Sequence, residues 1–138
     1  MKADNIVKDR DKYIGGSDIP ILMGISPFKT RWQLLKEKSE PKGDGITVGF
    51  TNKQIEYGNE MEDKIRDYIN KMMDCKFVPA TKIIDDLRGN CDGLYIDTIL
   101  EIKTTSVIHK TIDQYKSYLV QLLFYMKVFG KDNGILAV

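Results

Sequence analysis

Histidine and cysteine are scarce in this chain: one histidine, His109, and two cysteines, Cys75 and Cys91, with no Cys-x-x-Cys pair. A structural zinc centre or an iron–sulfur cluster needs four protein ligands of these kinds, so the sequence argues against both. Two isolated cysteines also suit a reducing compartment, where no disulfide is expected. Long hydrophobic runs are missing as well. The opening MKADNIVKDRDKY is charged and polar, without the apolar h-region of a secretory signal, and nothing in the chain approaches a membrane span. A cytoplasmic protein that does not engage a membrane is expected. Nor is there an excess of one charge: 21 basic and 20 acidic residues give a formal net charge of +1. That balance neither demands nor excludes nucleic acid, because carboxylates gathered around a metal would cancel a basic binding face.

What remains is an ordinary globular composition, 42% hydrophobic and 30% charged over 138 residues. It suffices for one core and a single domain, 1–138. Three Thr-x-x-Gln boxes predict helix starts: Thr30 to Gln33, Thr51 to Gln54 and Thr111 to Gln114. A first helix is expected to open at Ser17, after Gly15-Gly16, with Pro20 in its first turn and Gly24 at its end. A second covers 31–38. The stretch 39–50, with Pro41, Gly43, Gly45 and Gly49, reads as a loop. A long amphipathic helix over about 52–73 carries the apolar stripe Met61, Ile65, Tyr68, Ile69 and Met72. A strand is read at 77–84, and a hairpin from 88–96 and 99–104 around Asp97-Thr98. One helix is expected over 111–129, stopped by Gly130, and a short buried strand over 135–138.

The informative stretch is Asn90-Cys91-Asp92-Gly93-Leu94-Tyr95, followed by Leu100-Glu101-Ile102-Lys103. Residues two apart on a strand share a face, so Glu101 and Lys103 point one way, Leu100 and Ile102 the other. Pairing of the two strands sets Asp92 close to Glu101. Two neighbouring carboxylates repel, and each tends to keep its proton. A hard divalent cation such as Mg²⁺, bound through oxygen and keeping several waters, removes that conflict. Lys103 would then orient or help deprotonate the water that attacks phosphorus, while the metal stabilises charge building on the phosphate. The competing reading is an exposed Glu-x-Lys ion pair on a hairpin edge. Geometry alone leaves the two open.

Three further features carry a similar choice. At ~100° per residue, Glu62 lies only ~60° from the centre of the long helix's apolar stripe, whereas Glu60 lies ~140° away. Glu62 can face the sheet; the alternative is a boundary glutamate with a solvated head. Gly58, one turn before it, would be explained by close approach of another backbone or a ligand. Gln121 sits in the apolar run Leu119-Val120-Gln121-Leu122-Leu123 and needs a partner once buried, in an active site or in a satisfied core. Gly15-Gly16-Ser17-Asp18 opening a helix is an arrangement that can bind an anion, although Ser at such a position is often only a cap.

Together these residues resemble a known family. Ile14-Gly15-Gly16-Ser17-Asp18-Ile19 and Gly24-Ile25-Ser26-Pro27-Phe28-Lys29-Thr30 look like the opening signature of YqaJ-like viral recombinases, the phage lambda-type exonucleases of the PD-(D/E)XK superfamily. Tyr57-Gly58-Asn59-Glu60-Met61-Glu62 with Arg66 resembles their helix carrying a first carboxylate. Asp92-Gly93 with Glu101-Ile102-Lys103 matches their D…ExK core, and residues 118–130 match their helix with an inward-facing Gln. The resemblance implies a mixed central sheet flanked by helices. It implies Mg²⁺ or Mn²⁺ held by Asp92, Glu101, the Ile102 carbonyl and Glu62, with Lys103 activating the water and Gln121 positioning it. Ser17 and Arg10 would form the pocket for a DNA 5′-phosphate. The implied activity is 5′-to-3′ digestion of linear duplex DNA, with double-stranded ends, a single-strand annealing protein and further copies of the chain as partners. Cys91 stands where many relatives have Pro, and the chain is shorter than is usual for the family. The rival reading is a catalytically silent DNA-end-binding or regulatory module on the same fold.

Overall fold

The computed structural model describes residues 9–40 and 52–138, without the side-chain surroundings of 52–58. The Thr51 box and most of the 39–50 loop therefore lie outside the described residues, as do the surroundings of Gly58. Five strands form a mixed sheet: β1 (Ile14–Gly15), β2 (Val78–Ile84), β3 (Leu87–Tyr95), β4 (Thr98–Ile102) and β5 (Asn133–Ala137). β3 is central; it runs antiparallel to β2 and β4 and parallel to β1, and β5 runs parallel to β4. The helices are α1 (Ile19–Leu22), α2 (Arg31–Ser39), α3 (Asn52–Met73) and α4 (Lys116–Phe129). This is the expected sheet flanked by helices.

Each sheet face buries its own core. On one side α4 lays Leu122, Tyr125, Val128 and Phe129 over Cys91 and Ile99. On the other, Ile69 of α3 meets Phe77, Leu100 and Ile102. The alternation read along β4 is thus real: Ile99 faces α4, and Leu100 and Ile102 face α3. Asn70 fastens α3 to the start of β2, its amide donating to the Phe77 carbonyl at 3.1 Å and its oxygen accepting the Phe77 N–H at 2.8 Å.

Several boundaries differ from the sequence reading, each for a local reason. Gly16–Asp18 is a 3-10 turn rather than the start of an α-helix, because Asp18 turns back to accept the Gly15 N–H at 2.9 Å. That carboxylate occupies the donor an outside anion would have used. The helix expected over 111–129 is broken: Ile112–Gln114 is a 3-10 turn, and α4 begins only at Lys116. Tyr115 is drawn out of the helix, its hydroxyl accepting the His109 N–H at 2.7 Å. The hairpin turn is Ile96-Asp97, not Asp97-Thr98, since Thr98 already pairs with Tyr95 and Asn133. β4 stops at Ile102 rather than Thr104, and β5 begins at Asn133 rather than Ile135. Of the apolar stripe on α3, Ile69 is buried but Tyr68 and Met72 are exposed. The Thr30–Gln33 box forms as read, with Gln33 N–H to the Thr30 hydroxyl at 3.2 Å and Thr30 N–H to the Gln33 side chain at 2.8 Å. Gly130 adopts the left-handed conformation that ends α4.

Two substitutions test this packing. Asn70→Ala removes both partners of Phe77 at the start of β2 and is expected to cost about 2 kcal/mol, read as a lower urea midpoint. Gly93→Ala would put a methyl 2.9 Å from Phe77 Cβ and 3.0 Å from Leu100 Cβ. Neither Cβ can swing aside, so a loss of about 1–3 kcal/mol is expected; an unchanged midpoint would show that the sheet relaxes there.

Candidate active site

The candidate site begins with an irregularity in β3. Along the β2 pairing, Val78 faces Leu94 while Ala80 faces Cys91, so β3 carries one residue more than β2 across Pro79. Such a bulge re-aims side chains, and Pro79, with no N–H to offer the ladder, suits it. Gly89 and Cys91 face α4, yet Gly93 faces Phe77 and Leu100 on the other side. Asp92, next to Gly93 in the alternation, is thereby turned toward the α4 face.

The β3–β4 register is Gly93↔Leu100, Leu94↔Ile99 and Tyr95↔Thr98. One further step sets Asp92 opposite Glu101. There the Asp92 carboxylate takes over from the backbone, with Oδ2 accepting the Ile102 N–H at 2.7 Å. Asp92 and Glu101 are each only 3% exposed. Lys103 Nζ lies 3.4 Å from Glu101 Oε1 and donates to Gln121 Oε1 at 2.9 Å. Its ammonium also sits 5.7 Å from the centre of the Tyr118 ring, within cation–π range. The structure thus brings together Asp92, Glu101, Lys103 and Gln121, as the sequence reading expected, and Gln121 has its partner.

Glu62 belongs to the rim of this cluster. It is half-buried while Glu60 is exposed, so the helical-wheel choice between them holds. Its Oε2 lies 3.4 Å from a terminal nitrogen of Arg66. Arg66 also donates from Nε to the Asp92 carbonyl at 2.7 Å and pairs with Asp63 at 2.8 Å. This buried arginine, 7% exposed, pins α3 to the strand position that bears Asp92. Sequence reasoning gave it no role. The available signal was its place four residues after Glu62 on the same helical face.

The oxygen-rich donor set suits a hard cation. Two carboxylates almost out of water, with the Lys103 ammonium beside Glu101, form an oxygen-lined group of the kind a divalent ion can bridge. Among the described residues, no three His, Cys, Asp or Glu side chains converge as a metal-binding group. Asp92 and Glu101 are the two carboxylates here that could hold such an ion, and the Ile102 carbonyl follows Glu101 directly in the chain.

A second polar cluster lies at the sheet's β1 end. Arg10 donates to the Ser17 hydroxyl at 3.4 Å, and Ser17 is exposed. Lys38 of α2 locks the region, reaching the Asp18 carboxylate at 3.0 Å and the carbonyls of Tyr13, at 2.8 Å, and Arg10. Arg10 and Ser17, which the resemblance put in one pocket, are thus side by side in the fold. The pairing of buried Asp18 with half-buried Lys38 is a feature the sequence reading missed.

Comparison with known proteins follows this geometry. The chain is 28% identical over 145 residues to the protein named "Uncharacterized protein YqaJ" of Bacillus subtilis (strain 168), covering 96% of this chain but 44% of that protein. The chain therefore spans less than half the length of that relative. Its structure superposes on the alkaline exonuclease LHK-Exo from Laribacter hongkongensis with a TM-score of 0.73 at 16% identity, over 96% of this chain and 73% of that one. At that identity the likeness is one of fold. Among the described residues no helix is long and apolar enough to cross a membrane. The YqaJ-like viral recombinase domain matches residues 6–132, nearly the whole chain, and the chain belongs to that family.

Proposed function

We propose that this domain is a metal-dependent deoxyribonuclease that hydrolyses phosphodiester bonds from the 5′ ends of linear duplex DNA. The observation that carries the reading is the meeting of Asp92, Glu101, Lys103 and Gln121 on the sheet face under α4. Family membership and the shared fold support it. An ion pair on an exposed hairpin edge would not be buried to 3%.

In this reading Asp92 and Glu101, with the Ile102 carbonyl, hold Mg²⁺ or Mn²⁺, and Glu62 completes the acidic wall. The metal supplies electrophilic stabilisation of the phosphate as charge builds on it. Lys103 would orient the attacking water and help its deprotonation. Gln121 fixes the Lys103 amine through its 2.9 Å hydrogen bond. Arg66 holds the backbone of Asp92 in place. Arg10 and Ser17 receive the 5′-phosphate of the strand being digested. An annealing protein and further copies of the chain are the natural partners of such an activity, and the cytoplasm of a bacterial cell is its setting.

Digestion of a 5′-labelled linear duplex tests the core of this proposal. Wild type with Mg²⁺ or Mn²⁺ is expected to release labelled nucleotides, and chelation to stop it. Glu101→Ala and Lys103→Ala are each expected to lower the rate by at least ~10²-fold, the usual worth of a metal ligand or a positioned proton acceptor. A wild type as inert as both variants in either metal would instead favour the silent end-binding module. The mode of attack is read separately: a covalently closed circular duplex should survive, and rapid linearisation would indicate internal cutting.

The 5′-phosphate pocket has its own readout. Arg10→Ala and Ser17→Ala are expected to slow digestion of 5′-phosphorylated duplex by roughly tenfold, about the strength of one charge-assisted hydrogen bond, while leaving 5′-hydroxyl duplex little changed. Equal losses on both substrates would remove these residues from the pocket.

A further inference from the structure

The chain's one histidine, His109, has no part in the cluster around Asp92 and Glu101. It lies on the connection between β4 and α4, where every residue from Thr104 to Gln114 is exposed. Exposed though it is, this segment is held by its own side chains. The Thr105 hydroxyl accepts the Val107 N–H at 3.1 Å. Gln114 accepts the N–H groups of Lys110 at 3.1 Å and Thr111 at 3.2 Å. The Tyr115 hydroxyl accepts the His109 N–H at 2.7 Å. A segment ordered in advance loses less entropy when it grips a ligand. Between these bonds stand His109 and Ile108, the latter 85% exposed.

The same bonds set up a row of rings. The Lys103 ammonium sits 5.7 Å from the centre of the Tyr118 ring. Tyr118 stacks on Tyr115, centres 5.9 Å apart and planes 18° apart. The His109 ring meets Tyr115 at 4.9 Å and 70°. The row therefore starts at Lys103, inside the candidate site, and ends on a residue open to solvent. The charge around it is mostly of one sign: from 103 to 118 the chain carries Lys103, Lys110 and Lys116 against a single acid, Asp113. Rings interleaved with cationic side chains match single-stranded nucleic acid, in which each base offers a π-face and each linking phosphate a negative charge. The lysines speak against a purely apolar partner for the exposed Val107, Ile108 and Ile112.

We propose that the His109 ring stacks an unpaired nucleobase of DNA whose backbone passes Lys103. Tyr115 and Tyr118 buttress the ring from behind, and Lys110 and Lys116 supply positive charge for the adjoining phosphates. The ligand is a frayed or single strand, because a base inside a duplex already stacks on its neighbours. Stacking of this kind tolerates any base. The inference rests on the nuclease reading for its placement of DNA at Lys103, but its test does not require catalysis.

Fluorescence anisotropy without divalent metal reads the stacking directly, with a labelled single-stranded oligonucleotide set against one of equal length made of abasic sites. Wild type is expected to bind the base-bearing strand about tenfold more tightly, the effect of one stacked base. His109→Ala is expected to lose that preference. His109→Phe restores a ring and should recover it; His109→Lys supplies charge without a ring and should not. Urea midpoints identify any variant that fails to fold. A wild type indifferent to the bases overturns the proposal, as does His109→Ala or His109→Lys binding the base-bearing strand within twofold of wild type. If the preference follows the ring while wild type cuts nothing with Mg²⁺ or Mn²⁺, the stacking site stands and the nuclease reading falls. Cleavage of linear duplex by a wild type that ignores the bases keeps the nuclease reading and removes the stacking site.

Discussion

One hydrogen bond organises the candidate site: the Asp92 carboxylate accepting the backbone N–H of Ile102. Where β3 and β4 would have continued their ladder, a side chain takes the place of a main-chain carbonyl. The buried Ile102 N–H is satisfied, so the strands can part without leaving an orphan donor. In the opening stand Asp92 and Glu101, both buried. Burying a carboxylate costs several kcal/mol unless partners offset it. Here the offset is shared between the Ile102 N–H, Lys103 and, one step away, Arg66 on the Asp92 carbonyl. The strand irregularity opposite Pro79 puts the pair on one face. The site is held from both sides of the sheet, by Arg66 of α3 through the backbone and by Gln121 of α4 through Lys103.

α4 does more than cover the core. Leu122, Val128 and Phe129 seal one sheet face, while Gln121 and Tyr125 carry polar atoms toward the cluster around Glu101 and the turn at Gly16. The same helix therefore sets the spacing between two groups of polar residues that are far apart in sequence. α2 completes the frame. Lys38 ties it to Asp18 and to the carbonyls of Arg10 and Tyr13, so the residues around Ser17 are fixed from a third direction. A net charge of +1 hides this arrangement. The acidic residues that cancel the basic ones are partly buried at the sheet, where they serve a different purpose from the exposed charges.

The residues of the candidate site were legible in the sequence because local rules suffice for them. Strand alternation puts Glu101 and Lys103 on one face, helical periodicity chooses Glu62 over Glu60, and a glutamine in an apolar run demands a partner. The order of elements also follows from periodicity and turn residues. Errors arose where a side chain competes with the backbone. Asp18 tightens the turn before α1, and the Tyr115 hydroxyl breaks the helix before α4. Propensity cannot foresee either, because each depends on where one side chain finds its partner.

By itself, then, the amino-acid sequence determined which residues carry charge and which pattern each segment follows, since both are set within a few residues along the chain. Only the tertiary structure decided that Asp92 faces Glu101, that Arg66 grips Asp92 across 26 residues, and that Tyr125 meets Gly16. The physical reason is range. A bulge, a buried salt link and a close approach to glycine are agreements between distant segments, fixed only when the sheet and its helices pack.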